Sequence, residues 1–153
     1  MLSPTEALHR ILAALGDVAP LPPERVPLSD ALGRSLAEDV RAGMPLPPFD
    51  NSQMDGYALR AVDAPRAGTR LQVAFEVFAG DDRGRALPPG SCARIFTGAP
   101  LPPGADCAEM QEEVTRRGSV ARFRRAAVAG RYVRPAGADV APGSVALASG
   151  LQV

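Results

Sequence analysis

The sequence predicts an α+β fold, mainly β: a small α/β layer, discontinuous along the chain, with a β-barrel-like or sandwich module inserted into it. Three observations predict this. The one clear amphipathic helix opens the chain. After Met44, short apolar runs recur roughly every ten residues, as in small all-β modules. With 15 glycines and 16 prolines in 153 residues, turns must be frequent and elements short. The expected organisation is an N-terminal helix over 1–20, a first α/β domain from 21–43 and 144–153, and an inserted β domain over 44–143.

Taken in order, Ser3-Pro4-Thr5-Glu6 is a capping box with proline at the first helical position. Leu8, Ile11, Leu12 and Leu15 follow at helical spacing, and Gly16 is placed to end the helix. This apolar stripe needs a partner surface. His9, the only histidine, lies off the stripe and reads as a solvated surface residue. "ERVPL" (24–28) then reads as a short strand. Ser29 is placed to cap one turn, "DALG", and "RSLAEDV" (34–40) reads as the next strand. Leu71, Val73, Phe75 and Val77 alternate, as in a half-buried strand. "SCARIF", "CAEMQEEV" and "SVARFR" are further strands, and "YVRP" and "SVALA" close the chain. The stretch "LPPFDNSQMDGYAL" (46–59) is too polar and too broken for a core strand, and reads as a loop.

Composition narrows the function classes. The formal net charge is zero, which disfavours nucleic-acid and anionic-membrane partners. All 17 basic residues are arginines, whose planar forks match oxyanions. No apolar run approaches the roughly 20 residues of a membrane-spanning helix. The N-terminus lacks the basic-then-apolar pattern of a signal peptide. Cys92 and Cys107 form no CxxC pair and read as buried, reduced thiols of a cytoplasmic protein. One histidine allows no Ser/His/Asp triad at a plausible position, and no phosphate-cradling glycine loop is present.

Three loops can carry chemistry. Asp50, Asn51, Ser52 and Asp55 place two carboxylates and an amide where a hard cation such as Mg²⁺ could be held through oxygen and water. The same residues also make ordinary turns by bonding their own backbone. Thr97-Gly98, in "RIFTGAPLPPGAD", leaves a hydroxyl and amides at a strand end, either as an oxyanion contact or as a stiffened turn. "RPAGAD" adds Arg134 and Asp139. The arginines from Arg116 to Arg134 are either an anion-attracting stretch or the solvated face of two strands.

Taken together, "PPFDNSQMDGYAL", "VFAG", "RIFTGAPLPPGAD", "MQEE" and "VRPAGADV" resemble, in order and spacing, the molybdopterin molybdenumtransferase (MoeA) family, whose eukaryotic relatives include the gephyrin E domain. The resemblance covers nearly the whole chain and corresponds to the N-terminal region only. It implies a cytoplasmic transferase of molybdenum cofactor biosynthesis. Molybdenum from molybdate would be inserted into adenylylated molybdopterin with Mg²⁺ or a similar divalent ion. It also implies a homodimer whose site is shared between subunits. The pterin-binding α/β domain and the C-terminal β domain of the family are absent from these residues, so the fragment alone is expected to be inactive.

Carried over position by position, the resemblance assigns catalytic positions to Asp55, Thr97 and Asp139. It assigns substrate-binding positions to Asp50, Asn51, Ser52 and Arg134, and the metal to Asp55 and Asp139. Two departures stand out. Glu109 occupies an apolar family position, which marks its strand as an edge. Pro135 and Ala136 replace frequent basic residues. Two other readings remain open: a non-catalytic dimerisation or partner-binding module of gephyrin type, and a free-standing metal-dependent hydrolase on Asp50, Asp55 and Asp139.

Overall fold

A computed structural model describes residues 2–16, 19, 21–81 and 84–153. The chain divides into two compact units, Met1–Asp39 with Ala148–Val153, and Val40–Leu147. The architecture is mainly β, with a single α-helix among the described residues.

In the first unit, α1 spans Pro4–Leu15. Its capping box is formed as the sequence predicts. Glu6 N–H donates to Ser3 Oγ at 3.2 Å, and Ser3 N–H donates to the Glu6 carboxylate at 3.0 Å. Gly16 closes the helix by donating to the Ala13 carbonyl at 3.3 Å. His9 is exposed. Leu8, Ile11, Leu12 and Leu15 are each more than half exposed. The tail runs beside residues 33–39 through backbone bonds between Leu36 and the 150–151 pair, from Val153 N–H to the Arg34 carbonyl and from Gly33 N–H to the Val153 carbonyl. No described residue of this unit is buried.

Two expected strands differ here. "ERVPL" is not a strand: Pro27 lacks the donor a ladder needs, and a 3₁₀ turn begins at Leu28. That turn spans Leu28–Asp30, so Ser29 lies inside it and bonds Asp30 instead of capping it. "RSLAEDV" makes one isolated bridge, Ser35 to Gln152, and becomes strand only at β1, Val40–Arg41.

The second unit carries the core. Its strands after β1 are β2 (Asn51–Ser52), β3 (Gly56–Leu59), β4 (Arg70–Val77), β5 (Ser91–Ile95), β6 (Cys107–Met110), β7 (Val114–Arg117), β8 (Val120–Phe123), β9 (Val133–Arg134) and β10 (Val145–Leu147). Six of them form one sheet in the order β6-β3-β5-β4-β8-β7. Only the β4–β5 pair is parallel. The remaining strands pair as β1 with β10 and β2 with β9.

The main correction concerns "GYAL". It is a central strand, β3, with all four residues buried. Tyr57 and Leu59 join one core with Leu71, Cys92, Cys107 and Phe123, while Ala58 joins a second with Val77, Leu87, Ala93 and Ile95. A strand buried on both faces needs no polar alternation. The small residues Gly56 and Ala58 fall at alternate positions, and so share a face.

The alternating run Leu71–Val77 is strand β4, but its side chains do not all share a face. The register slips between Val73 and Phe75. A bulge that adds one residue turns every later side chain over. Leu71 and Val73 therefore pack in the first core, and Phe75 and Val77 in the second. Cys92 and Cys107 are free and buried, and both lie opposite Leu59 on different sides of β3.

Candidate functional site

The three loops meet at β2. Asn51 pairs with Arg134 and Ser52 with Val133, and Asn51 also bridges Pro100. Backbone bonds lock the crossing: Ser52 N–H to the Ala99 carbonyl (3.0 Å), Gly98 N–H to Ser52 (2.8 Å) and Leu101 N–H to Asp50 (2.8 Å). Asn51 and Ser52 are buried, which explains why so polar a stretch is ordered. Their backbone groups are spent on neighbouring loops, as burial demands. The Ser52 hydroxyl donates to the Met54 carbonyl at 2.7 Å and accepts from its N–H at 3.3 Å. That turn brings the chain round to Asp55.

Asp55 is exposed. Its Oδ1 accepts two hydrogen bonds, from Thr97 N–H and from the Thr97 hydroxyl, both at 2.8 Å. Oδ2 accepts from neither. The two bonds, the backbone one foremost, hold the Asp55 carboxyl below its ordinary 3.8, and the Arg94 charge adds in the same direction. Asp55 is thus an ionised, oriented carboxylate. The Thr97 hydroxyl has its proton directed at Asp55. Gly98 follows with φ of 80°, a backbone state that a glycine adopts without penalty.

The other predicted residues lie on the same loops, with different partners. Asp50 Oδ1 accepts from Ala136 N–H at 2.8 Å. Arg134 Nη2 donates to both oxygens of Asp139, at 2.5 and 2.7 Å. The backbone N–H of Asp139 donates to the Leu46 carbonyl at 2.9 Å. The Asp139 carboxylate is therefore engaged with Arg134 and not with Asp55 or Thr97. Among the described residues, no group of three or more His, Cys, Asp or Glu is arranged to hold a metal ion.

Some relevant residues were not legible as such. Arg94 on β5 lies over the rings of Tyr57 and Phe96 and bonds Gly56 and Gln111. An arginine inside the apolar run "CARIF" was the available signal. Tyr132 has φ of 53°, uncommon for a side-chain-bearing residue, and its carbonyl accepts from Gln53 N–H at 2.9 Å. Part of the arginine-rich stretch is paired, and Arg117, Arg122 and Arg124 are exposed. Arg116 meets Glu76, while Arg125 and Arg131 bracket Glu109 at 3.1 and 2.7 Å. β6 is at an edge of the sheet, as Glu109 suggested, yet that carboxylate points inward and is buried.

This arrangement defines a mainly-β module whose polar rim is built from three distant loops. Comparisons with known proteins place it. Residues 2–153 match the family model described as the MoeA N-terminal region, domain I and II. The chain is 37% identical over 155 residues to the molybdopterin molybdenumtransferase of Synechococcus elongatus, covering 98% of this chain and 38% of the relative. It is 44% identical over 134 residues to molybdopterin molybdenumtransferase 2 of Mycobacterium tuberculosis, covering 84% and 33%. The crystal structure of the molybdopterin biosynthesis MoeA protein from Pyrococcus horikoshii OT3 superposes with a TM-score of 0.78 at 37% identity, over 85% of this chain and 35% of that one. A second Pyrococcus MoeA crystal structure gives 0.85 at 33% identity, over 95% and 39%. The chain belongs to the MoeA family, as its N-terminal region. It spans between about a third and two-fifths of the length of these relatives.

Proposed function

We propose that this chain is the N-terminal part of a cytoplasmic molybdopterin molybdenumtransferase, and that its rim forms one wall of the site where molybdenum from molybdate enters adenylylated molybdopterin. The observation that carries this reading is the Asp55–Thr97 pair, fixed at the crossing of three loops in a chain that matches the family from residue 2 to 153. The other wall belongs to the pterin-binding domain of a second subunit. The exposure of Leu8, Ile11, Leu12 and Leu15, with Leu21, Leu28 and Leu32 still more exposed, supports covering by further chain in a homodimer.

Asp55 suits a hard divalent ion of the Mg²⁺ type, because it is ionised, accessible and made of oxygen. Such an ion usually takes one or two carboxylates and completes its shell with substrate phosphates and water. Asp139 joins it only by releasing Arg134. When bound, the ion supplies positive charge to the pyrophosphate linkage as adenylate departs. Thr97 keeps the Asp55 carboxylate in one orientation through both its bonds. Arg134, if freed, offers a fork for an oxyanion. Asp50, Asn51 and Ser52 hold the loops together and shape the surface on which substrate would rest.

Complementation tests the reading. In a strain lacking molybdenum insertion, the chain alone is expected to fail, and the chain with the remaining domains supplied in trans to restore cofactor synthesis. Asp55→Ala in the complete transferase is expected to abolish insertion. Unchanged insertion by that variant, with purified adenylylated pterin, removes Asp55 from the site.

A further inference from the structure

Asp55 and Thr97 touch each other but belong to different loops; the β3–β5 ladder and the Ser52 bonds to Gly98 and Ala99 bring the two backbones together, and a side-chain tie acts at the point where they carry the pair. Arg94 supplies that side-chain tie. It sits on β5 directly opposite Tyr57 of β3, three residues before Thr97. Its Nη1 donates to the carbonyl of Gly56, the residue after Asp55, at 3.0 Å. Its Nη2 donates to Gln111 Oε1 at 2.6 Å. The Gln111 N–H in turn donates to the Asp55 carbonyl at 3.0 Å. One guanidinium thus ties the carbonyls of Asp55 and Gly56, the second directly and the first through Gln111.

The same group also reaches the Thr97 side. The Arg94 guanidinium lies 4.7 Å from the ring centroid of Phe96, the neighbour of Thr97, and 5.3 Å from that of Tyr57. Phe96 is itself stacked on Phe78 at 4.8 Å with 11° between the planes. Arg94 thus contacts both the Tyr57 ring and the Phe96 ring, and Phe96 is backed by Phe78. A planar cation over aromatic rings is held both electrostatically and by shape. Among the described residues Arg94 has no carboxylate in ion-pair contact; its bonds go to neutral oxygens.

We infer that Arg94 is a positioning residue for the transferase reaction, one that holds the Asp55 loop and the Thr97 loop in the register their pairing requires. The inference rests on the reading of Asp55 and Thr97 as site residues, and Arg94 itself acts on no substrate. Preorganisation of this kind is worth a great deal in a site: a displacement near 1 Å can cost about a hundredfold in rate.

The test is steady-state kinetics of molybdenum insertion by the complete transferase, scaled to folded protein. Arg94→Met, which keeps bulk but loses the fork, is expected to lower kcat about tenfold or more while KM changes by less than about twofold, the signature of an interaction that matters in the transition state. Arg94→Lys keeps the charge over the rings but offers no fork, and is expected to fall between Met and the parent. Thr97→Ala and Arg94→Met act on one unit, so the double variant is expected to be no slower than the worse single one. If Arg94→Met does not fold, Gln111→Leu, which removes only the second acceptor, is read by the same kcat-against-KM split. Parental kcat per folded molecule in Arg94→Met, or in Gln111→Leu where that variant stands in, overturns the inference. So do losses in the double variant that multiply. These outcomes leave the site reading intact, provided Asp55→Ala is inactive. If Asp55→Ala inserts molybdenum normally, the site reading itself has failed.

Discussion

Gly56 offers the sharpest test of the fold. It lies on the central strand β3, between β5 and β6, with register partners Ile95 and Met110. A Cβ added there would stand 1.9 Å from the Glu109 carbonyl oxygen, 2.8 Å from its carbon and 3.2 Å from Met110 Cα. All three obstacles are backbone, so no side-chain rotation relieves them. Gly56→Ala must therefore push β6 away by about 1 Å, stretching ladder bonds in a fully buried strand. Overpacking of a tight core costs about 1–3 kcal/mol, and each buried bond left unmade about 1–3 kcal/mol more. The expected loss is about 3 kcal/mol, a large share of the roughly 5–15 kcal/mol that such domains have. The assay is equilibrium unfolding in guanidinium chloride, with Gly118→Ala as the reference. Gly118 has φ of 59° and nothing within 4 Å of the added atom, so only backbone strain of about 1–2 kcal/mol applies. A Gly56→Ala midpoint no lower than that of Gly118→Ala would refute the close approach of β3 to β6.

Three further outcomes are expected. Arg131→Met leaves the buried Glu109 carboxylate with Arg125 alone, and is expected to cost about 1–3 kcal/mol in chemical unfolding; Glu109→Gln, which removes the charge and keeps the shape, is expected to cost less. Asp63 is held below its ordinary 3.8 by the Arg60 fork first and Gly90 N–H next. A depressed carboxylate stabilises the fold fully above the unfolded value and loses that contribution as pH falls through its folded value. Asp63→Asn should therefore be less stable than the parent near neutrality, with the difference vanishing in acid well below about pH 4, as thermal unfolding across pH would read. The Cys92 thiol is pushed up to about 12 by burial, and Cys107 is pushed up as well, so neither is nucleophilic at neutral pH. A thiol-disulfide reagent should react with both only as the protein unfolds, and fast labelling of the native protein would contradict this.

Much of the fold was legible where local rules act alone. The capping box of Ser3 and Glu6 and the strand runs at Ser91 and Val120 depend only on nearby residues. What escaped was decided at a distance. "GYAL" follows polar loop residues and lacks polar alternation, so nothing local marks it as the strand with a core on each face. The slip in β4 between Val73 and Phe75 turns half of a clean alternation to the other side, and only the partner strand reveals it. The candidate site was legible as a list of loops, through motif resemblance. Its internal wiring was not. That Thr97 serves Asp55 and that Arg94 ties the loops follow from contacts across about forty residues of chain, while the Arg134–Asp139 pair is local but depends on how its loop turns.

The pairing of β1 with β10 has a practical consequence. Val40 and Leu147 face each other across one strand spacing, about 4.8 Å, so the second unit begins and ends at the same place. Residues 40–147 can accordingly be excised, closed into a ring by a short turn, or reopened at an exposed hairpin such as that at Gly118, without asking the chain to span any gap.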